Sequence, residues 1–248
     1  MVISALISVA LMVVFRIRLK TERTRVRFLQ FFAVITVFIH FSSLWVDFFK
    51  TGSATVQSTM LLPIHPCNVI MWLLLIVAFL KKREGIAYKL LSEFVFWAGT
   101  VCGSIGIIFN ENFGNNPTLA DYEVLKGMLS HSTMLIGCIW LLVGGFVKIR
   151  VSNTISVATG LLGFVIDGCI INTLYSIFEL SPCNSMYLLA APFEAAPWLN
   201  TIVIGIIGVG VCFIITTIHE GIHLSKDERW YTILSQKIDE LEDARHAK

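Results

Sequence analysis

A cysteine and two histidines have the residue types and spacing that acyl-transfer chemistry needs. Residues 62–68 read Leu-Pro-Ile-His-Pro-Cys-Asn and contain His65 and Cys67. Proline is favoured at the first position of a helix, so Pro66 predicts that Cys67 is the second residue of a helix. The partial positive charge of a helix N-terminus favours the thiolate form of such a cysteine. Cys67 is therefore a candidate nucleophile.

A thiol nucleophile needs a base, and His131 is predicted at a similar depth on another apolar segment. His65 lies only two residues from Cys67, off the same helix face, but it reaches back if it precedes the helix. We predict that Cys67, His131 and His65 are catalytic. Asn68 and first-turn N–H groups would stabilise an oxyanion. Asn172 and Asn184 are predicted to contact the substrate with Asn68.

Each of these residues also has a plainer explanation. A lone cysteine in an apolar helix usually packs as a small hydrophobe, and a histidine at a helix end is usually interfacial. Glu93 and Asp167 are the deepest acids, and ionisable groups in membrane spans mark functional sites by default. A small-solute transporter or channel lined by these polar groups is therefore an alternative.

The elements that position these residues are long apolar blocks. Apolar residues make up 56% of the 248-residue chain and charged residues 15%, against about 25% charged in soluble domains. About 20 apolar residues span a membrane as a helix. We predict an all-α, polytopic membrane helix bundle of about seven transmembrane helices, in blocks 2–14, 28–49, 61–80, 90–109, 127–147, 154–180 and 198–218.

Lysine and arginine define the orientation of these blocks. The connections after blocks one, three and five, together with the tail, contain 17 of the 19 basic residues. Basic residues favour the cytoplasmic side. The N-terminus is therefore predicted outside and the C-terminus in the cytoplasm, with Cys67 and His131 near the outer face. If the short first block is not a span, six spans remain.

The chain divides into a transmembrane bundle, 1–218, and a cytoplasmic amphipathic tail helix, 219–248. One helical stripe of the tail is apolar and contains Trp230, Ile233, Leu234, Ile238 and Leu241. Such a helix lies on the inner leaflet or packs on the bundle. A dimerising helix is the alternative, which makes a homodimer through the C-terminal tail possible and leaves room for a membrane scaffold or sensor.

Charge and cysteine spacing indicate few other partners. The net charge is only +2, so no nucleic-acid partner is implied. The six cysteines form no CxxC pair and no metal-ligand spacing. No metal and no cofactor are expected.

Three stretches resemble the YwaF-like family of integral membrane proteins, to which animal transmembrane protein 164 also belongs. The segment 62–68 is similar to the family's LPxHxC motif at the start of a span. The second stretch is Asn116-Pro117-Thr118 followed by Ser130-His131-Ser132. The third consists of Asn172, then residues 184–188 and Pro192, similar to an NYxYL…P segment, with Ser185 where the family often has tyrosine.

The resemblance implies a bundle of six or seven spans and an activity. The animal branch is similar to acyltransferases that move acyl chains onto lysophospholipids, and Cys67 and His131 match its candidate catalytic residues. We therefore expect a Cys/His-dependent phospholipid acyltransferase or lipid hydrolase. Membrane phospholipid is the expected partner, and a cell membrane, of bacterial plasma-membrane type, is the expected location.

Overall fold

The computed structural model describes residues 12–53, 61–110, 118–178, 183–192 and 196–246, and the regular elements in these ranges are all helical. Residues 12–18 are helical, and Ser185–Tyr187 and Lys226–Glu228 are single 3-10 turns. The α-helices are α1 Glu22–His40, α2 Ser42–Thr51, α3 Pro66–Phe79, α4 Ile86–Ile108, α5 Tyr122–Val143, α6 Asn153–Ile177, α7 Thr201–His223 and α8 Trp230–His246.

The described helices are those of a multi-pass membrane protein. Within the described residues, five stretches are long and apolar enough to cross a membrane: Glu22–Thr51, Ile86–Ile108, Tyr122–Val143, Asn153–Ile177 and Thr201–His223. The first of these contains α1 and α2, which meet at Phe41. The predicted first span, 2–14, lies almost wholly outside the described residues, so the total of seven remains a prediction.

The predicted span at 61–80 is a shorter helix. α3 has 14 residues, about 21 Å of rise, against a hydrocarbon core of about 30 Å. Its start is set by Pro66, since the residue before a proline is pushed out of the helical region. His65 accordingly has φ −104° and ψ 148°. The chain thus enters α3 through a non-helical segment, and Cys67 lies within the bundle.

Most of the basic residues gather at one end of the bundle, here called the basic end. The starts of α1, α4 and α6 meet the ends of α3, α5 and α7 there. Four contacts join them: Arg83 to Glu22 at 4.0 Å, Arg25 Nη1 to the Gly144 carbonyl at 2.8 Å, Lys89 Nζ to Ser152 Oγ at 3.2 Å, and Val151 N–H to Glu220 Oε1 at 2.7 Å. The predicted clustering of basic connections therefore has a structural counterpart.

A stripe of glycines brings α4 and α5 into close contact. Gly99, Gly103 and Gly106 lie at positions i, i+4 and i+7 of α4, so they share one face. A Cβ added at each would collide with α5, meeting Cys138 Sγ, Leu135 Cβ and the His131 ring, respectively. Only glycine permits this separation, and the stripe therefore fixes the position of His131 relative to α4.

We expect Gly103→Ala to destabilise the bundle. The new Cβ would lie 2.9 Å from Leu135 Cβ and 3.2 Å from its Cα, so the helices must separate, at a cost of about 1–3 kcal/mol. Thermal denaturation in detergent, followed by size-exclusion chromatography, measures the loss. Gly208→Ala is the control, because nothing lies within 4 Å of its Cβ. Equal melting temperatures for both variants would show that the helices do not depend on this contact.

Candidate functional site

Cys67 occupies the position predicted for it. It is the second residue of α3, with Pro66 first and His65 as the N-cap. The thiol is half-buried and donates to Asn68 Oδ1 at 3.6 Å. The backbone N–H groups of Asn68 and Val69 both donate to the His65 carbonyl, at 2.9 and 3.3 Å. In this conformation those two N–H groups do not serve an oxyanion, and Asn68 acts on the thiol through its side chain.

His131 lies further from the start of its helix than the apolar block 127–147 indicated. α5 begins at Tyr122, so His131 is nine residues in, about 13 Å along the helix. Its Nδ1 lies 2.8 Å from the Gly127 carbonyl. A carbonyl oxygen only accepts, so Nδ1 carries the proton. In the neutral ring Nε2 then has the lone pair, which is the form that a general base requires.

Helix α4 packs against both of the helices that carry the candidate residues. Ile70 of α3 lies against Gly99 of α4, with its Cγ2 2.9 Å from the place of a Cβ on that glycine, and Gly106 lies directly beneath the His131 ring of α5. Cys67 precedes Ile70 by about one turn, and α3 and α4 run in opposite directions, so Cys67 falls beside the turn of α4 that contains Cys102. Cys102 and Gly106 are four residues apart, which is one helical turn of about 5.4 Å. Cys67 and His131 therefore approach neighbouring turns of the same helix from two different neighbours.

His65 faces a different part of the chain. Its ring lies 5.8 Å from that of Tyr187, centroid to centroid, with the planes tilted by 34°. Tyr187 belongs to the 3-10 turn Ser185–Tyr187. His65 thus links the entrance of α3 to the connection between α6 and α7.

That turn is tied to the entrance of α3 and to α6 by four hydrogen bonds. Ser185 is fully buried and exchanges two of them with Asn172, whose Oδ1 accepts from its N–H at 2.7 Å and whose Nδ2 donates to its carbonyl at 3.3 Å. The Ile64 carbonyl accepts from Ser185 Oγ at 3.2 Å and from the Met186 N–H at 2.9 Å. Ile64 precedes Cys67 by three residues, so this cluster, the Ser185 cluster, holds the segment that leads into α3.

The same turn contains unusual backbone geometry. Met186 and Tyr187 both have φ +53°, a left-handed conformation that costs about 1–2 kcal/mol per residue. Three features hold it: the Thr201 hydroxyl donates to the Met186 carbonyl, Met186 is fully buried, and Gly168 of α6 leaves room for the turn, since a Cβ there would be 3.0 Å from that of Met186. Strain of this kind is maintained only where the surroundings enforce it.

The other predicted polar residues have partners within the protein. Asn184 closes its own loop, because its Oδ1 accepts from Leu189 and Ala190 N–H and its Nδ2 donates to the Ala190 carbonyl. Glu93 accepts from Ser156 at 2.5 Å and lies 3.9 Å from Lys89 Nζ, towards the basic end. Asn172, Asn184 and Glu93 thus all carry structural hydrogen bonds.

An apolar cleft of about 370 Å³ lies between α3, α4 and α6. It is lined by Val69, Leu73, Ala87, Leu90, Leu91, Phe94, Ser156, Thr159, Gly160, Gly163 and Phe164. Cys67 and His131 are not among its lining residues. Asn116 and Pro117 of the second motif lie outside the described residues.

Of the residues that connect the site, Cys102 and Gly106 were not singled out from the sequence, and Ser185 appeared there only as part of the third motif. Cys102, Gly106 and Ser185 join Cys67 and His131 to α4 and to the turn. One signal for them is present in the sequence, because Gly99, Gly103 and Gly106 have the spacing of small residues at a membrane helix interface. Ser185 has no such signal, since its role depends on a strained turn.

Of the comparisons with known proteins, the one with protein families finds a match. A model of the TMEM164 family matches residues 1–218, which covers the bundle up to the last turns of α7. No curated protein matches the chain, and no solved structure matches it.

We expect Asn172→Ala to loosen the Ser185 cluster. The variant leaves the buried Ser185 N–H and carbonyl without their side-chain partner, which costs about 1–3 kcal/mol. Both a lower melting temperature and faster maleimide alkylation of Cys67, measured by peptide mass spectrometry, should follow. Thr173→Ala, at an exposed position on the next residue of α6, is the matched control. If the Asn172→Ala protein is destabilised but its Cys67 is alkylated at the unchanged rate, the Ser185 cluster does not control the position of Cys67.

Proposed function

We propose that this chain, which belongs to the TMEM164 family, is a membrane enzyme that transfers or hydrolyses phospholipid acyl groups. Cys67 is the nucleophile and His131 the general base. The observation that carries the proposal is the hydrogen bond from His131 Nδ1 to the Gly127 carbonyl. It leaves Nε2 as the proton acceptor on a ring held against Gly106 of α4, one turn of that helix from Cys102.

In the first half of the reaction the thiol attacks an ester carbonyl of a phospholipid. His131 Nε2 takes the thiol proton as the carbon–sulfur bond forms. The tetrahedral intermediate then expels the lysophospholipid, whose oxygen receives the proton back from Nε2. The products are a lysophospholipid and a thioester on Cys67, so protons and bonds balance.

In the second half the acceptor attacks the thioester. The hydroxyl of a different lysophospholipid, or a water molecule, gives its proton to His131 Nε2 and attacks the carbonyl carbon. The carbon–sulfur bond breaks, and the thiolate regains the proton from the imidazolium. A lysophospholipid acceptor gives acyl transfer, and water gives hydrolysis. The depth of both residues in the bundle favours the lipid acceptor, since water is scarce there.

The remaining predicted residues support this pair. Asn68 Oδ1 accepts from the thiol and so orients it towards the substrate. His65 and the Ser185 cluster hold the chain that enters α3, which gives Asn172 an indirect role. Asn184 shapes the loop that follows. The oxyanion then depends on donors other than the Asn68 and Val69 N–H groups.

We further propose the seven-span topology, with the N-terminus outside, the C-terminus in the cytoplasm and Cys67 in the outer half of a cell membrane. The gathering of basic connections at one end supports it, because basic segments are retained in the cytoplasm. The predicted first span, 2–14, decides between seven spans and six. This orientation gives the site access to outer-leaflet phospholipid.

Reconstitution tests the enzyme. Liposomes containing the protein, a phospholipid with an isotope-labelled acyl chain and an unlabelled lysophospholipid should show label transfer by mass spectrometry. Cys67→Ala and His131→Ala should each lower the rate by about 100-fold or more. Cys169→Ala, at an exposed cysteine of α6, should not change it. Full turnover by both site variants would overturn the proposal.

Gly106→Ala tests the geometry without removing either catalytic group. Its Cβ would lie 2.6 Å from His131 Cγ and closer still to Cδ2 and Nε2, so the ring must move by about 1 Å, which costs about 100-fold in rate. A folded variant, judged by its chromatographic profile, with an unchanged acyl-transfer rate would argue against His131 as the base.

Epitope accessibility tests the topology. In sealed, right-side-out vesicles an N-terminal tag should be cleaved by added protease, whereas a C-terminal tag should be protected until detergent is added. Protection of both tags would indicate six spans with both termini in the cytoplasm.

A further inference from the structure

The tail helix α8 has an apolar face that the bundle leaves exposed. Tyr231, Leu234, Ile238 and Leu241 are 47%, 50%, 47% and 68% exposed. Of the predicted stripe, only Trp230 is half-buried, and its ring meets that of Phe213 at 5.5 Å. Apart from Trp230, the stripe is therefore not covered by the bundle. Another partner must cover this face of α8.

The start of α8 is fixed to the bundle. Glu220, buried at the end of α7, accepts from the Trp230 N–H at 3.0 Å and from the Val151 N–H at 2.7 Å. One carboxylate thus joins α7, the turn before α6 and the first residue of α8. Arg229 Nε also donates to the Leu224 carbonyl at 3.2 Å. These contacts anchor α8 at its first residue, while its apolar face stays exposed.

The exposed face has the spacing of a coiled coil. Tyr231, Leu234, Ile238 and Leu241 are separated by three, four and three residues, as are the a and d positions of a heptad repeat. Gln236 falls at position f, on the opposite side of the helix. A seam of this kind matches a copy of itself.

The charge of α8 argues against a lipid surface as the occupant. Its 17 residues include four acids and two lysine or arginine residues. Helices that lie on membranes are rich in lysine and arginine on the polar face, because the cytoplasmic leaflet is anionic. An acidic helix is repelled from such a surface, whereas three of its four acids fall at the b, c and f positions of the heptad, away from a paired helix.

We propose that α8 pairs with α8 of a second copy of this chain in a parallel two-stranded coiled coil. Both copies have the same orientation in the membrane, and Glu220 anchors the first residue of α8 in each, so both helices begin on the same side of the bilayer, as a parallel pair requires. Two heptads are marginal in isolation. Two copies held in one bilayer have a raised effective concentration, which offsets this. The inference does not depend on the acyl-transfer proposal.

Cysteine cross-linking in native membranes tests the pairing. Ile238→Cys, at an a position, should form a disulfide-linked dimer under mild copper-catalysed oxidation. Gln236→Cys, at position f, should give no more dimer than the unsubstituted chain, which measures the background from the native cysteines. Equal cross-linking at positions 236 and 238 would overturn the coiled coil.

A second measurement uses the intact protein in liposomes. Single-molecule photobleaching of chains labelled on a C-terminal tag should show two-step traces, and the double variant Leu234→Glu, Ile238→Glu should show mainly single steps. An environment-sensitive probe attached to the thiol of the Ile238→Cys variant should report protein contact at all lipid concentrations. A lipid-dependent blue shift together with single-step bleaching of the native chain would instead assign α8 to the membrane surface and reject the dimer.

Discussion

The close contact between α4 and α5 is the constraint on which the site depends. Three glycines on one face of α4 let α5 approach until Cys138, Leu135 and His131 fill the space where side chains would stand. In lipid the hydrophobic effect does not drive helices together, so close packing of small residues must provide the attraction. The same contact that holds the bundle therefore fixes the position of the His131 ring, and the base cannot move without disturbing the packing.

A second constraint acts on the nucleophile from the other side. α3 is too short to cross the membrane as a helix, and its start is held by Ser185 and Met186, which both bond to the Ile64 carbonyl. The turn that supplies these donors is strained at Met186 and Tyr187, and Asn172 and Thr201 hold it from α6 and α7. The segment before α3, the turn Ser185–Tyr187, α6 and α7 thus act together to position Cys67. The glycine stripe of α4 positions His131.

The sequence predicted the features that depend on local chemistry. Apolar blocks identified the helices, and Pro66 identified Cys67 as the second residue of α3, which the structure confirms. The ends of the helices were predicted less well. α5 begins five residues earlier than its apolar block, because Asp121 caps it through the N–H groups of Glu123 and Val124. A hydropathy block ends where polar residues begin, but a helix continues until its backbone groups find another partner.

The roles of Ser185 and Tyr187 were beyond prediction, since they rest on contacts 121 and 122 residues away in the chain, with Ile64 and His65.

The geometry also changes how Cys67 would be activated. The sequence argument relied on the helix N-terminus to favour a thiolate. In the structure the thiol donates to Asn68 Oδ1, which requires its proton, and the N–H groups of Asn68 and Val69 donate to the His65 carbonyl. A helix end whose donors are already occupied has less to offer a neighbouring anion. In the mechanism proposed above, activation comes from a base that removes the proton as the bond to carbon forms. His131 Nε2, on α5 beside the neighbouring turn of α4, has the lone pair for it.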